Sequence, residues 1–106
     1  MDTEYFVVET TTETIEEAEN LAESMVKNRL AGCAHVQGPI TSFYWWEGEL
    51  TRSKEWKCSL KTNKNKYRRL EDEIRNAHSY ETPEIVAIPL IRGSESYFNW
   101  LDQELE

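Results

Sequence analysis

Groups that can exchange protons or bind cations are concentrated in one short segment, residues 78–84. The segment carries His78, Tyr80, Glu81 and Glu84, and it runs directly into an apolar stretch. Neutral imidazole is a good ligand for copper and zinc, and carboxylate oxygens suit harder divalent cations. The spacing therefore indicates a polar site at one end of a sheet, with metal binding as its most specific chemistry.

Each of these groups also has a structural interpretation. His78 could bind a metal, end a helix, or join a hydrogen-bond network between subunits. Glu84 could be a ligand, or it could pair with Lys61 across an interface, because a buried carboxylate needs a partner. We favour the paired interpretation for Glu84.

A second segment, residues 42–48, places four aromatic side chains in a row beside Glu47. Aromatic rings with a polar tip line small-molecule clefts, and they also suit subunit interfaces. Trp46 and Tyr80 are therefore candidates for a cleft or an interface, with Tyr44 as a packing residue.

Composition narrows the class of protein. The 106 residues fit one domain, 1–106, and the net charge of −8 argues against nucleic-acid binding. Cys33 and Cys58 show no metal-ligand spacing, which is typical of free thiols in a reducing cytosol. The acidic N-terminal residues and the lack of a long apolar run predict neither a signal peptide nor a membrane span.

The periodicity of apolar residues predicts the elements that position these groups. Helical spacing predicts a first helix over 14–31, with a capping box at Thr14 and Glu17 and a stop at Gly32. A second helix, capped by Asn63 or Asn65, is predicted to end near Ala77. Ser94 is predicted to cap a short third helix.

Strands are predicted between these helices. The segments are 4–11, 33–50 with a bend or bulge at Gly38-Pro39, an alternating run over 55–61, and 85–91. The alternating run places Trp56, Cys58 and Leu60 on one face and Glu55, Lys57, Ser59 and Lys61 on the solvent-exposed face. Residues 51–54 are predicted to form the hairpin turn. Pro89 places the last strand at an edge or gives it a bulge.

This order predicts an α+β fold: a ferredoxin-like βαββαβ sandwich with an antiparallel sheet and an extra C-terminal helix. Two helices would cover one sheet face and leave the other uncovered. The last strand and the aromatic run are apolar on both sides, so a monomer would expose a large patch. We therefore predict a closed oligomer, with Ile85, Tyr44 and Trp46 near the interface.

The chain resembles the divalent-cation tolerance (CutA-type) proteins over essentially its whole length. The matching segments are 31–36, 41–49, 61–62, 78–85 and 97–101, in the family's order and spacing. The resemblance implies a ferredoxin-like fold, a homotrimer, and a link to tolerance of copper and other divalent cations. It implies no known reaction.

The resemblance also implies metal ligands. The family's suggested set is a Cys ending the first strand, a His ending the second helix, and the Glu after the Pro. Glu84 matches the last of these, whereas Glu9 stands where family members carry Cys. In members with two adjacent His, the first position is Ala77 here and His78 matches the second, so two of the three suggested ligands differ. A site of Glu9, His78 and Glu84 would suit Cu(II) or Zn better than Cu(I).

The sequence gives less support to enzymatic, anion-binding and scaffold functions. The chain has no Ser-His-Asp order, G-x-S-x-G or HExxH motif, so we predict no enzymatic activity and no required cofactor beyond a possible divalent metal. A trimer that binds a small anionic ligand for signalling is one alternative, by analogy with nitrogen-regulatory proteins, and the basic run 61–69 supports it. A scaffold without a ligand is another. The expected partners are sister copies and divalent cations, with no nucleic acid or membrane.

Overall fold

Four strands and three helices form the fold in the computed structural model, which describes residues 4–106. The elements are β1 (Tyr5–Thr12), α1 (Ile15–Lys27), β2 (Cys33–Trp46), β3 (Glu49–Asn63), α2 (Lys64–Ala77), β4 (Val86–Pro89) and α3 (Glu95–Glu104). The strands make one antiparallel sheet in the order β2-β3-β1-β4. The predicted ferredoxin-like α+β fold with an added C-terminal helix is confirmed.

The main core lies between one sheet face and helices α1 and α2. Alternate residues of β1 and β3, such as Val8 and Leu60, pack there against Leu21 of α1 and Leu70 of α2. Asn63 caps α2, since its Oδ1 accepts from the Lys66 backbone N–H at 3.1 Å, and Ser94 caps α3 as predicted. None of the helices within 4–106 is long and apolar enough to cross a bilayer. Residues 1–3, which belong to the acidic N-terminal segment on which the prediction of no signal peptide rests, lie outside the described residues.

Helix α3 covers one end of the second sheet face, so the expectation that this face is bare is wrong there. The Tyr5 ring stacks on Phe98 with centroids 4.2 Å apart, and the Tyr5 hydroxyl donates to Asp102 at 2.6 Å. At the same end, the Cys33 thiol lies 3.3 Å from the Tyr97 hydroxyl. Aromatic stacking of this kind adds to the apolar area that the helix buries.

The first helix ends earlier than predicted, at Lys27 rather than near residue 31. Arg29 takes a left-handed φ of 62°, and the Leu30 N–H donates back to the Met25 carbonyl at 2.9 Å. This is a Schellman end with a non-glycine residue in the left-handed position. Gly32 lies beyond it and already donates to Lys61 of the sheet.

The hairpin turn lies at Glu47 and Gly48, so the prediction of a turn at 51–54 is wrong. Both residues have positive φ, 49° and 80°, which suits the two-residue hairpin turn that matches strand twist. Because β1 pairs with β3 only as far as Trp56, the rest of the hairpin continues past the sheet. We call this two-stranded extension, residues 40–55, the arm.

The predicted bulge at Gly38-Pro39 is confirmed. Gln37 pairs with Lys57 and Ile40 pairs with Glu55, so two residues of β2 face Trp56 alone. A single extra residue exchanges the two faces of a strand. Tyr44 and Trp46 therefore share a face with Glu55.

The last strand is shorter than predicted, Val86–Pro89 rather than 85–91. It lies at the sheet edge, as Pro89 indicated, because a residue without an N–H cannot serve two neighbours. Ile85 precedes the strand and packs against the core.

The bulge predicts a specific sensitivity. A Cβ at Gly38 would collide with the Trp56 ring, whereas a Cβ at Gly48 meets nothing within 4 Å. We expect Gly48→Ala to cost about 1–2 kcal/mol from its backbone conformation, and Gly38→Ala to cost about 1–3 kcal/mol more from the collision. Urea unfolding at one protomer concentration measures both, and equal losses would contradict this account of the bulge.

Candidate functional site

A groove of about 810 Å³ opens where the arm meets the loop between α2 and β4. We call it the arm–loop groove. It is lined by residues 42–46 of the arm, Thr11, Glu55, and residues 79–82 and 84 of the loop. Among the predicted site residues it contains Tyr44, Trp46, Tyr80 and Glu84, whereas Glu9, Lys61, His78 and Ile85 are not part of its lining.

One of the groove residues is Glu55, and the prediction from the alternation in β3 that it lies on a solvent-exposed face is wrong. Glu55 is only 6% exposed, and its Oε2 accepts a hydrogen bond from the Tyr80 hydroxyl at 2.9 Å. Burial, and then this bond to Glu55, raise the pKa of Tyr80 above its ordinary value. The phenol therefore remains a donor to the carboxylate. No local pattern marks Glu55, because its partner lies 25 residues away.

His78 ends α2, and its side chain is completely buried. Its Nε2 lies 2.9 Å from the Thr11 carbonyl, which can only accept, so Nε2 carries the proton. Its Nδ1 then accepts from the Tyr80 backbone N–H at 3.1 Å. Both ring nitrogens are occupied, so within this chain His78 positions the loop and has no lone pair free for a metal.

Glu9 is also engaged. Its carboxylate accepts from the Ser59 hydroxyl at 3.1 Å and lies 3.6 Å from the Lys57 ammonium. Residues 4–106 contain no group of three His, Cys, Asp or Glu side chains that could hold a metal ion. The three-ligand set of Glu9, His78 and Glu84 is therefore not assembled in a single chain.

The remaining predicted residues lie apart from one another. Glu84 is exposed at the groove, whereas Lys61 lies near α3 with its ammonium 4.0 Å from the Cys33 sulfur. No ion pair between Glu84 and Lys61 occurs within the described chain, so their pairing across subunits stays a prediction. Ile85 supports the core rather than the cleft, because its side chain packs inward.

Helix α1 anchors the loop that forms one wall. The Glu17 carboxylate accepts from both the backbone N–H and the hydroxyl of Ser79, each at 2.9 Å. The capping box is thus only half formed: Thr14 accepts from the Glu17 N–H at 3.2 Å, while the Glu17 side chain reaches the loop instead. These two bonds hold the loop against the start of α1, where the loop forms one wall of the groove.

The groove is acidic. Three carboxylates line it, from Glu55, Glu81 and Glu84, together with four hydroxyl-bearing Ser and Thr residues, and no lysine or arginine is among its lining residues. A cleft of one charge sign concentrates ions of the other sign. The arrangement favours cations as ligands.

A family model and the curated relatives of this chain identify the same protein family. The family model for the CutA1 divalent ion tolerance protein matches residues 6–104. A protein of Archaeoglobus fulgidus named divalent-cation tolerance protein CutA is 38% identical over 96 residues, which cover 91% of this chain and 93% of that protein.

The solved structures that resemble this fold include members of the same family. A structure of the periplasmic divalent cation tolerance protein CutA from Archaeoglobus fulgidus is similar with a TM-score of 0.92 and 36% identity, covering 96% of this chain and 99% of that chain. A structure of CutA from Synechococcus elongatus gives a TM-score of 0.94 at 31% identity, covering 99% and 93%.

The Tyr80–Glu55 bond predicts a pH dependence. An unfolded tyrosine ionises near pH 10, while folded Tyr80 has a raised pKa, so its contribution to stability is complete below about pH 10 and is lost as the pH rises further. We expect stability to fall less steeply above pH 10 in Tyr80→Phe, by at most one proton per chain. Urea midpoints from pH 9 to 12 measure this, and equal slopes would contradict it.

Proposed function

Because this chain belongs to the CutA1 divalent ion tolerance family, we propose that it is a cytosolic homotrimer that binds divalent cations weakly at clefts between subunits. The proposed role is binding rather than catalysis. The observation that carries the proposal is the composition of the arm–loop groove, whose lining includes three carboxylates and no lysine or arginine.

The arm supports the trimer. Phe43, Trp45 and Leu50 are each at least 66% exposed in the single chain, and all three lie on the arm. Apolar surface of this extent is unfavourable in water by roughly 25 cal/mol per Å² and usually marks an interface. Strands β2 and β4 also leave unpaired edges that a sister copy can use.

Oxygen atoms would supply the metal contacts. His78 and Glu9 are committed to other partners, so the groove offers Glu84, Glu81 and nearby hydroxyls. Carboxylate oxygens bind divalent cations, with Cu(II) favoured among the first-row ions. Residues 4–106 of one chain assemble too few ligands for tight binding, and a neighbouring copy would complete the set.

The anionic-ligand alternative finds no support in the groove. The basic run lies on the end of β3 and the start of α2, and none of its residues lines the groove. A negatively charged ligand would instead meet three carboxylates. A scaffold role remains the outcome if cations do not bind.

Assembly gives the first test. We expect sedimentation equilibrium at micromolar concentration to give about three times the 12.5 kDa of one chain. Trp46→Ala should weaken the trimer because Trp46 lies on the arm. The matched control is Trp100→Ala on α3, with 40% exposure against 51% for Trp46, and it should leave the trimer intact. A monomeric wild-type protein would refute the proposal.

Titration with Cu(II) and Zn(II) tests the ligand. We expect saturable, weak binding by calorimetry, and a loss of affinity on the order of tenfold or more in Glu84→Gln. Glu9→Gln is the control, since Glu9 is tied to Ser59 and Lys57 and should not affect affinity. A wild-type protein without saturable uptake, or equal losses in both variants, would count against the proposal.

A further inference from the structure

Glu55 is a buried carboxylate with one acceptor oxygen left over. Tyr80 occupies its Oε2, and no other hydrogen bond or ion pair to Glu55 is formed within the described residues. Every fully buried side-chain oxygen in that part of the chain has a partner, so Oε1 of Glu55 is not fully buried, and Glu55 is one of the residues that line the groove. A carboxylate that is 6% exposed and has no countercharge is unfavourable unless a donor meets it.

The walls above Glu55 are aromatic. The bulge places Tyr44 and Trp46 on the face of Glu55, and a hydrogen bond of 3.0 Å between the Tyr44 and Ser53 hydroxyls fixes the Tyr44 ring. Aromatic faces attract organic cations and also accept methylene groups. A hydrated metal ion gains little from such walls, because it keeps its water.

The size of the groove points the same way. Its volume of about 810 Å³ falls within the roughly 300–1,000 Å³ typical of small-molecule sites. Carboxylate, aromatic wall and hydroxyls together match a group that carries both N–H donors and an apolar chain.

We propose that the arm–loop groove binds a protonated primary alkylamine, with its ammonium group donating to Oε1 of Glu55 and its alkyl chain lying against Tyr44 and Trp46. The inference uses the groove of the proposed function but does not require a metal. Thr11 and Ser42 lie in the same lining and can accept the remaining ammonium hydrogens.

Calorimetry on the assembled full chain tests this, with n-butylammonium chloride as the probe at constant ionic strength and with EDTA present. Saturable binding is expected. The matched neutral ligand, n-butanol, should bind at least roughly tenfold more weakly, because it lacks the charge-assisted hydrogen bond. No saturable binding of n-butylammonium, or equal affinity for n-butanol, would overturn the proposal.

Variants locate the site. Glu55→Gln keeps the shape and a carbonyl oxygen for the Tyr80 hydroxyl, and it should lower affinity for n-butylammonium roughly tenfold or more. Tyr44→Leu leaves the carboxylate in place and should weaken binding severalfold, which keeps the site testable if Glu55→Gln does not fold. Glu9→Gln should bind like the wild type. Unchanged affinity in both Glu55→Gln and Tyr44→Leu would place the amine elsewhere and overturn the assignment.

The two proposals fail separately. EDTA removes divalent metals from the amine titration, so amine binding with no uptake of Cu(II) or Zn(II) would refute the metal proposal alone. Metal uptake without n-butylammonium binding would refute only the alkylamine.

Discussion

The β-bulge at Gly38-Pro39, where two residues of β2 lie opposite Trp56 alone, determines which side chains of the arm share a face with Glu55. Without it, the face of β2 that begins with Cys33 would continue through Phe43 and Trp45, and Tyr44 would point away from Glu55. With it, the even-numbered side chains of β2 in the arm, including Tyr44 and Trp46, lie on the same sheet face as Glu55. The aromatic side chains of Tyr44 and Trp46 thus lie on the same face as the Glu55 carboxylate because the bulge shifts the register of β2 by one residue.

A buried imidazole holds the other wall. His78 accepts from Tyr80 and donates to Thr11, so the end of α2, the end of β1 and the loop are tied at one point. This arrangement orients Tyr80 so that its hydroxyl reaches Glu55. The histidine that looks most like a metal ligand in the sequence acts instead as the support of the groove.

The sequence predicts the fold well because the periodicities of α1, α2 and β3 are strong and local, and the caps at Asn63 and Ser94 need only neighbouring residues. It fails where a distant contact decides. Glu55 shares one face of β3 with the polar residues Lys57, Ser59 and Lys61, and only the contact with Tyr80, 25 positions away, shows that it is buried. The turn at Glu47-Gly48 is hard to predict because the high β propensity of the aromatic residues continues up to it and hides a two-residue reversal. Likewise, Glu9 looks available until cross-strand pairing brings Ser59 opposite it.

The contact between Glu17 and Ser79 has a mechanical meaning. The Glu17 carboxylate in the first turn of α1 accepts two hydrogen bonds from Ser79, so the loop wall is fastened to the start of the helix. A ligand that displaced this wall would have to break both hydrogen bonds or shift the first turn of α1 with the loop. The position of this wall is therefore set from outside the groove, by a carboxylate that is not among the residues lining it.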